Sequence, residues 1–164
     1  MLNRKPITAR GRELLYAKLE KMRAELPALI EAISEAKKNG DLSENFEYHA
    51  AKRKRNEVEN EINQLDAFLK VSIVSKLPEN PSIACFGCQI TLESSDNRIL
   101  TYAILGEHEA NVENGSISTS SPLFRSMLGK KVGDEFDFNS IKYRITKISS
   151  ISEHELSSIY RLFE

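Results

Sequence analysis

Apolar residues in the first half of the chain recur at alternating steps of four and three. Leu15, Leu19, Met22, Leu26, Leu29, Ile33 and Ala36 form one series, and Tyr48, Ala51, Arg55, Val58, Ile62, Leu65 and Leu69 form a second. That spacing places each set on one seam of a long helix, and two matching seams can bury one another. Between them, Asn39-Gly40 supplies a stop, because glycine readily takes the left-handed conformation that closes a helix. An antiparallel helical hairpin follows. Each arm of about 25 residues would be roughly 38 Å long at a rise of 1.5 Å per residue. Such a rod encloses no pocket, so its product is reach. Pro27 lacks an amide donor and crowds the preceding turn, which predicts a bend or irregular turn in the first arm. Arg55, the charged member of its seam, is expected near a solvated tip or snorkelling outward.

The pattern changes after residue 75. Leu77-Pro78-Glu79-Asn80-Pro81-Ser82 reads as a linker, since each proline restricts the residue before it. Short β-branched and aromatic runs then predict strands at Gln89–Leu92, Ile99–Leu105, Glu135–Phe138 and Lys142–Ile148. Ser121-Pro122 followed by Leu123, Met127 and Leu128 predicts a short N-capped helix ending at Gly129. The fold class is therefore α+β: a coiled-coil finger over residues 1–75, a linker at 76–81 and a small antiparallel sheet domain carrying a helix at 82–164. In the tail, Leu156, Ile159, Tyr160, Leu162 and Phe163 could form an amphipathic helical patch, expected to fold back on this domain, with contact to a partner as the alternative.

Composition narrows the classes of function. The 164 residues carry a net charge of -1, which argues against a general polycationic coat for nucleic acid. Lys and Arg outnumber Asp and Glu by 14 to 12 up to Ser75, and fall behind by 9 to 12 beyond it. Any polyanionic partner must be met by local charge and geometry. No apolar run reaches the length of a membrane span and no secretory signal opens the sequence, so a cytoplasmic protein with no membrane partner is expected.

The loop joining the two helices reads Gly40-Asp41-Leu42-Ser43-Glu44-Asn45-Phe46-Glu47-Tyr48. Asp41 and Glu44 stand at the spacing of a capping box, and Ser43 or Asn45 could cap instead. The same two carboxylates could converge on a hard divalent cation, with the missing ligands drawn from water, phosphate or a partner. The residues support both readings. Phe46 and Tyr48 are expected to pack the hairpin end, with contact to a partner as the alternative. Lys52-Arg53-Lys54-Arg55 follows on one arm and Lys37-Lys38 lies on the other; they serve either as a solvated face or as an attraction for RNA or a channel wall.

The run from Gly40 to Lys52 (Gly-Asp-Leu-Ser-Glu-Asn-Phe-Glu-Tyr-His-Ala-Ala-Lys) resembles the tip motif of the bacterial Gre transcript cleavage factors, nearer the GreA branch. Phe86–Leu92, Gly106–Ala110 and Ile117–Lys130 resemble that family's C-terminal domain in matching order, so the likeness spans nearly all of residues 4–148. It implies a coiled-coil finger and an FKBP-like domain. It also implies a protein that binds bacterial RNA polymerase, enters its secondary channel and stimulates hydrolysis of backtracked nascent RNA by the polymerase active centre.

On that resemblance Asp41 and Glu44 assist catalysis by holding part of a Mg²⁺ site that the polymerase completes, and Ser43 orients the substrate or nearby polymerase groups. Lys37, Lys38, Lys52 and Arg53 would contact RNA or channel wall, and Ser121, Pro122, Leu123, Gly129 and Asp134 would contribute to docking. The isolated chain would be monomeric, without tightly bound cofactor and without nuclease activity. A non-cleaving regulator of the same channel, or a generic coiled-coil interaction protein, is the alternative.

Cys85 and Cys88 have C-x-x-C spacing but lack two further zinc ligands at a recognisable distance, so ordinary reduced thiols are expected. His49 is expected in a structural or channel-facing role. Three features depart from the family pattern: Asn111 in place of the usual Asp, the absence of Pro-Gly punctuation across 137–143, and the tail beyond Ile148.

Overall fold

A computed structural model describes residues 4–38 and 45–161. The chain divides into two units, Leu15–Val71 and Met1–Leu14 with Ser72–Glu164.

The first unit is the helical hairpin. Helix α1 (Ala9–Ala36) and helix α2 (Phe46–Val71) turn inward every one of the fourteen seam residues, each buried or half-buried. Between positions 16 and 35 every residue off the seam is exposed. Leu15 and Leu19 retain 1% of their surface and Leu65 retains 2%. Burying one such side chain stabilises by about 1.5–3 kcal/mol. Ion pairs cross the seam from Lys18 to Glu61 at 2.5 Å and from Arg23 to Asp66 at 3.2 Å. Their side chains are substantially exposed, so water screens both pairs and the apolar seam dominates.

Two details differ from the sequence reading. Helix α1 runs through Pro27 without an irregular turn; the ring lies on the exposed face, where water can stand in for the missing donor. Phe68 is also buried, beside Leu69, because the apolar face of α2 widens in its last turns. Arg55 is half-buried, with Nη2 donating to Asn56 at 2.9 Å and Nε 3.6 Å from Glu59, so its charge is balanced from its own helix.

The second unit contains two sheets. Strand β1 (Lys5–Ile7) pairs in parallel with β2 (Ser72–Val74). Strands β3 (Cys88–Ser94), β4 (Ile99–Leu105), β5 (Ser116–Ser118), β6 (Glu135–Phe138) and β7 (Ile141–Ser150) form a five-stranded sheet in the order β5-β4-β3-β7-β6. Within it β3 runs antiparallel to β4 and β7, β6 is antiparallel to β7, and β4 and β5 are parallel. The four expected strands are present. The β1–β2 pair moves the start of the chain into this unit and ends the helical unit at Val71, whereas the sequence reading kept residues 1–75 together. Residues 76–81 lack regular secondary structure but count with the compact unit.

Alternation along the strands sets the core. Ile90, Leu92, Ile104 and Ile145, fully buried, pack with Phe124 and Met127 of helix α3 (Pro122–Met127). Ala103 and Leu105, which flank Ile104 and so face the other way, pack with Ile151, Ile159 and Tyr160. The last two belong to helix α4 (Glu153–Tyr160), which is the tail folded back as expected. Ser152 caps α4 with Glu155 in a reciprocal capping box, and the Ser152 hydroxyl and amide hold the Glu155 carboxyl below the usual carboxylate range. Leu162 and Phe163 lie outside the described residues.

Two of the three departures noted in the sequence have a local structural account. Asn111 caps a single 3₁₀ turn (Val112–Asn114), its Oδ1 accepting from the Glu113 amide at 2.9 Å, a task for which Asn and Asp offer the same oxygen. Asn139 and Ser140 join β6 to β7 with φ of 51° and 64°. Positive φ at both central residues of a two-residue loop is the hairpin geometry whose twist matches the strands, here achieved without glycine.

A buried carboxylate ties the ends of this unit together. Glu109, 1% exposed, accepts from the Gly106 amide at 2.7 Å, the Thr8 amide at 3.1 Å, the Thr8 hydroxyl at 2.8 Å and the Tyr160 hydroxyl at 2.8 Å. Thr8 caps α1, its hydroxyl oxygen accepting from the Gly11 amide at 2.8 Å. A Cβ at Gly11 would fall 1.7 Å from Glu109 Oε2, so only glycine lets the helix approach this carboxylate. Among the described residues no helix is long and apolar enough to cross a membrane.

Candidate functional site

The candidate site is the end of the hairpin where α1 stops and α2 begins. Helix α1 finishes at Ala36, and the Lys37 and Lys38 amides reach back to the Ile33 and Glu35 carbonyls at 3.1 and 2.9 Å. Across the loop, Asn45 joins both helices. Its Nδ2 donates to the Ala36 carbonyl at 2.6 Å and its Oδ1 accepts from the Tyr48 amide at 3.0 Å. Asn45 is thus the N-cap of α2 and also satisfies one of the open carbonyls at the end of α1. Asp41, Ser43 and Glu44 lie outside the described residues. The cap of α2 that the sequence allowed to Asp41 is filled by Asn45.

Phe46 does not pack the hairpin end as expected. It is 88% exposed, because position N1 of α2 lies opposite the seam. Tyr48 is half-buried, with the Lys37 and Lys52 ammonium groups 5.9 and 6.0 Å from its ring centroid and the His49 ring edge-on at 5.4 Å. Lys37, Lys38, Lys52 and Arg53 are all exposed, forming a cationic collar around this end of the hairpin, and His49 is exposed beside them. Sequence reasoning missed the exposure of Phe46 and the double role of Asn45. The first was legible from helical phase once the helix start was known. The second needed the two arms in register.

As for metal chemistry, Asp41 and Glu44 are hard oxygen donors suited to Mg²⁺, yet two carboxylates are too few to bind it alone. Among the described residues no cluster of three or more His, Cys, Asp or Glu side chains could hold a metal ion.

The residues expected to dock sit around α3. Ser121 caps it, accepting from the Phe124 amide at 3.2 Å, with Pro122 at the first helical position. Leu123 is half-buried against the core, Gly129 follows the helix at a φ of 75°, and Asp134 accepts from the Lys131 amide at 2.8 Å. Leu128 and Val132 in the same stretch are 61% and 55% exposed, which no apolar pattern announced. Cys88 is fully buried and its thiol donates to the Cys85 carbonyl at 3.0 Å. Burial pushes its pKa up to about 12, so it stays a thiol at neutral pH, and both cysteines are free.

These two units define a transcription elongation factor: residues 5–74 match the family described as "Transcription elongation factor, N-terminal", and residues 79–150 match "Transcription elongation factor, GreA/GreB, C-term". Transcription elongation factor GreA of Sphingopyxis alaskensis is 38% identical over 151 residues, covering 89% of this chain and 96% of its own. The GreA of Hyphomonas neptunium is 45% identical over 139 residues, covering 82% and 87%. Among solved structures, GreA factor homolog 1 of Thermus thermophilus aligns over 90% of this chain and 100% of its own at 24% identity, with a TM-score of 0.45. The chain belongs to the bacterial GreA/GreB family, on its GreA side. The C-terminal match ends at residue 150, so α4 lies beyond it.

Proposed function

We propose that this chain binds bacterial RNA polymerase in the cytoplasm, inserts the hairpin end into the secondary channel and stimulates Mg²⁺-dependent hydrolysis of backtracked nascent RNA by the polymerase active centre. The observation that carries the reading is the cap of α2: in a chain of the GreA/GreB family, Asn45 closes the helix, so α2 does not require Asp41 as its cap. Asp41 and Glu44 would each offer oxygens to an ion shared with the polymerase, and Ser43 would orient substrate beside them. When bound there, Mg²⁺ would supply charge stabilisation to the phosphate in the transition state. The collar of Lys37, Lys38, Lys52 and Arg53 would draw the displaced RNA segment toward the tip. We read the compact unit as an FKBP-like polymerase-docking domain, with Ser121, Pro122, Leu123, Gly129 and Asp134 at or near the contact. The chain has no nuclease activity of its own in this reading, because the ligands it brings do not complete a site.

The test is cleavage in a defined backtracked elongation complex with Mg²⁺. Asp41→Asn should lower factor-stimulated cleavage by about ten- to a hundredfold while hairpin melting stays the same. Unchanged cleavage rules the assignment out and leaves a non-cleaving channel regulator. Loss of cleavage together with a destabilised hairpin returns Asp41 to a capping role.

A further inference from the structure

We propose that Phe46 is a stacking platform for an unpaired base of the RNA on which this factor acts. The inference rests on the elongation-factor reading above and adds a substrate-touching residue to it. At 88% exposure Phe46 is the most uncovered of the large apolar side chains described, and it stands two residues after Glu44 at the first position of α2. Its backbone is not loose: the two hydrogen bonds of Asn45 pin the start of the helix to the end of α1.

Helical phase decides what surrounds the ring. Phe46, His49, Ala50 and Arg53 occur at i, i+3, i+4 and i+7, so they share one face, and all four are exposed. Tyr48, Ala51 and Arg55 occupy the opposite face, turned toward α1. The other aromatic at this end is already engaged, since Tyr48 is half-buried with two ammonium groups close to its ring. Phe46 is therefore the aromatic face open to a ligand here.

The neighbours indicate the class of ligand. A protein pocket would ordinarily be met by a cluster of apolar side chains, but this face offers one ring, one methyl group, an imidazole and a guanidinium. An aromatic ring with a cation two helical turns along the same face, about 10 Å away, suits single-stranded nucleic acid, the ring covering a base while the cation meets a phosphate. Every base has a π face, so the contact carries little sequence preference. It would hold the displaced strand at this end of the hairpin.

The experiment uses the full chain and backtracked elongation complexes whose extruded RNA bases are either intact or replaced by abasic nucleotides. On intact RNA, Phe46→Ala should lower cleavage efficiency about tenfold, in the range of one lost base stack. Phe46→Trp should retain it, and Phe46→Leu should fall with the alanine variant. On abasic RNA the parent chain and Phe46→Ala should become equal. The proposal is overturned if Phe46→Ala matches the parent on intact RNA, or if leucine rescues as well as tryptophan. It is also overturned if the defect persists on abasic RNA, which would mark Phe46 as a contact to the channel wall. Asp41→Asn is run alongside: if it and the parent both fail to stimulate cleavage, the elongation-factor reading falls and this proposal with it. If Asp41→Asn is defective while Phe46→Ala is normal, only the stacking role is lost.

Discussion

Replacing Tyr160 by Phe removes one hydroxyl from the Glu109 cluster and leaves the ring in place, so it isolates what the tail contributes through hydrogen bonding. That hydroxyl donates to Glu109 Oε2 at 2.8 Å and lies 2.6 Å from the Thr8 hydroxyl, in a site where Tyr160 is 3% and Glu109 1% exposed. Burial and the adjacent Glu109 push the Tyr160 pKa up, so it serves as a proton donor throughout the physiological range. A hydrogen bond to a charged group contributes about 1.5–3 kcal/mol, and the buried acceptor left behind cannot recruit water freely. Three donors remain on Glu109, from the Gly106 amide and the Thr8 amide and hydroxyl, which keeps the loss from growing beyond that range. For a unit of about 100 residues this corresponds to a drop in melting temperature of roughly 8–15 °C.

The assay is urea unfolding of the full chain, followed by hydrogen exchange at the amides of β3 and β7, with Ser157→Ala as an exposed control on the same helix. Tyr160→Phe should also couple to Glu109→Gln in a double-mutant cycle by about 1 kcal/mol or more, because the two side chains share the bond being removed. A loss below about 0.5 kcal/mol, or a coupling near zero, would refute the account of Glu109 as the acceptor that fastens the tail to the chain start.

Three further outcomes are expected. Asn45→Ala should cost the hairpin about 1 kcal/mol and speed hydrogen exchange at the Tyr48 amide, whereas Asn45→Asp, which keeps the cap acceptor but not the donor to Ala36, should recover part of it; equal loss in both variants would mean that the cap contributes nothing. At pH 8 iodoacetamide should label Cys85 well before Cys88. Above about pH 8.5 an unfolded thiol loses its proton, while the folded Cys88 keeps its own to about 12, so the folded state binds more protons and stability falls as pH rises. The slope, at most about 1.4 kcal/mol per pH unit, should flatten in Cys88→Ala, and urea midpoints from pH 8 to 10 measure it.

The helical arms were legible because a 3.5-residue repeat is a local property: which face of α1 or α2 is apolar depends only on the order of residues along it, and all fourteen seam positions turn inward. Strands β3, β4, β6 and β7 were legible for the same reason, and so was the α3 cap at Ser121-Pro122. Strands β1, β2 and β5 were not, because three residues are too few to show alternation and each pairs with a segment distant in sequence.

The site shows the same division. Sequence offered Asp41, Ser43 and Asn45 as rival caps for α2, and Asn45 fills the cap while its side chain also reaches the Ala36 carbonyl across the loop. Phe46 and Tyr48, two residues apart, were expected to share a fate, yet their directions diverge by about 200° of helical rotation, so one ring is nearly bare and the other lies under two lysines. The polar run around Glu109 carries no sign of burial. The burial of Glu109 was decided by Thr8 and Tyr160, which converge from remote parts of the chain on a carboxyl that the nearby Gly106 amide also meets, with Gly11 making room. The sequence by itself determined the repeat, the class of each long element and the chemical groups at the tip. Only the tertiary structure decided which groups are satisfied internally and which remain exposed, because a hydrogen bond or a covered ring needs partners that local order cannot supply.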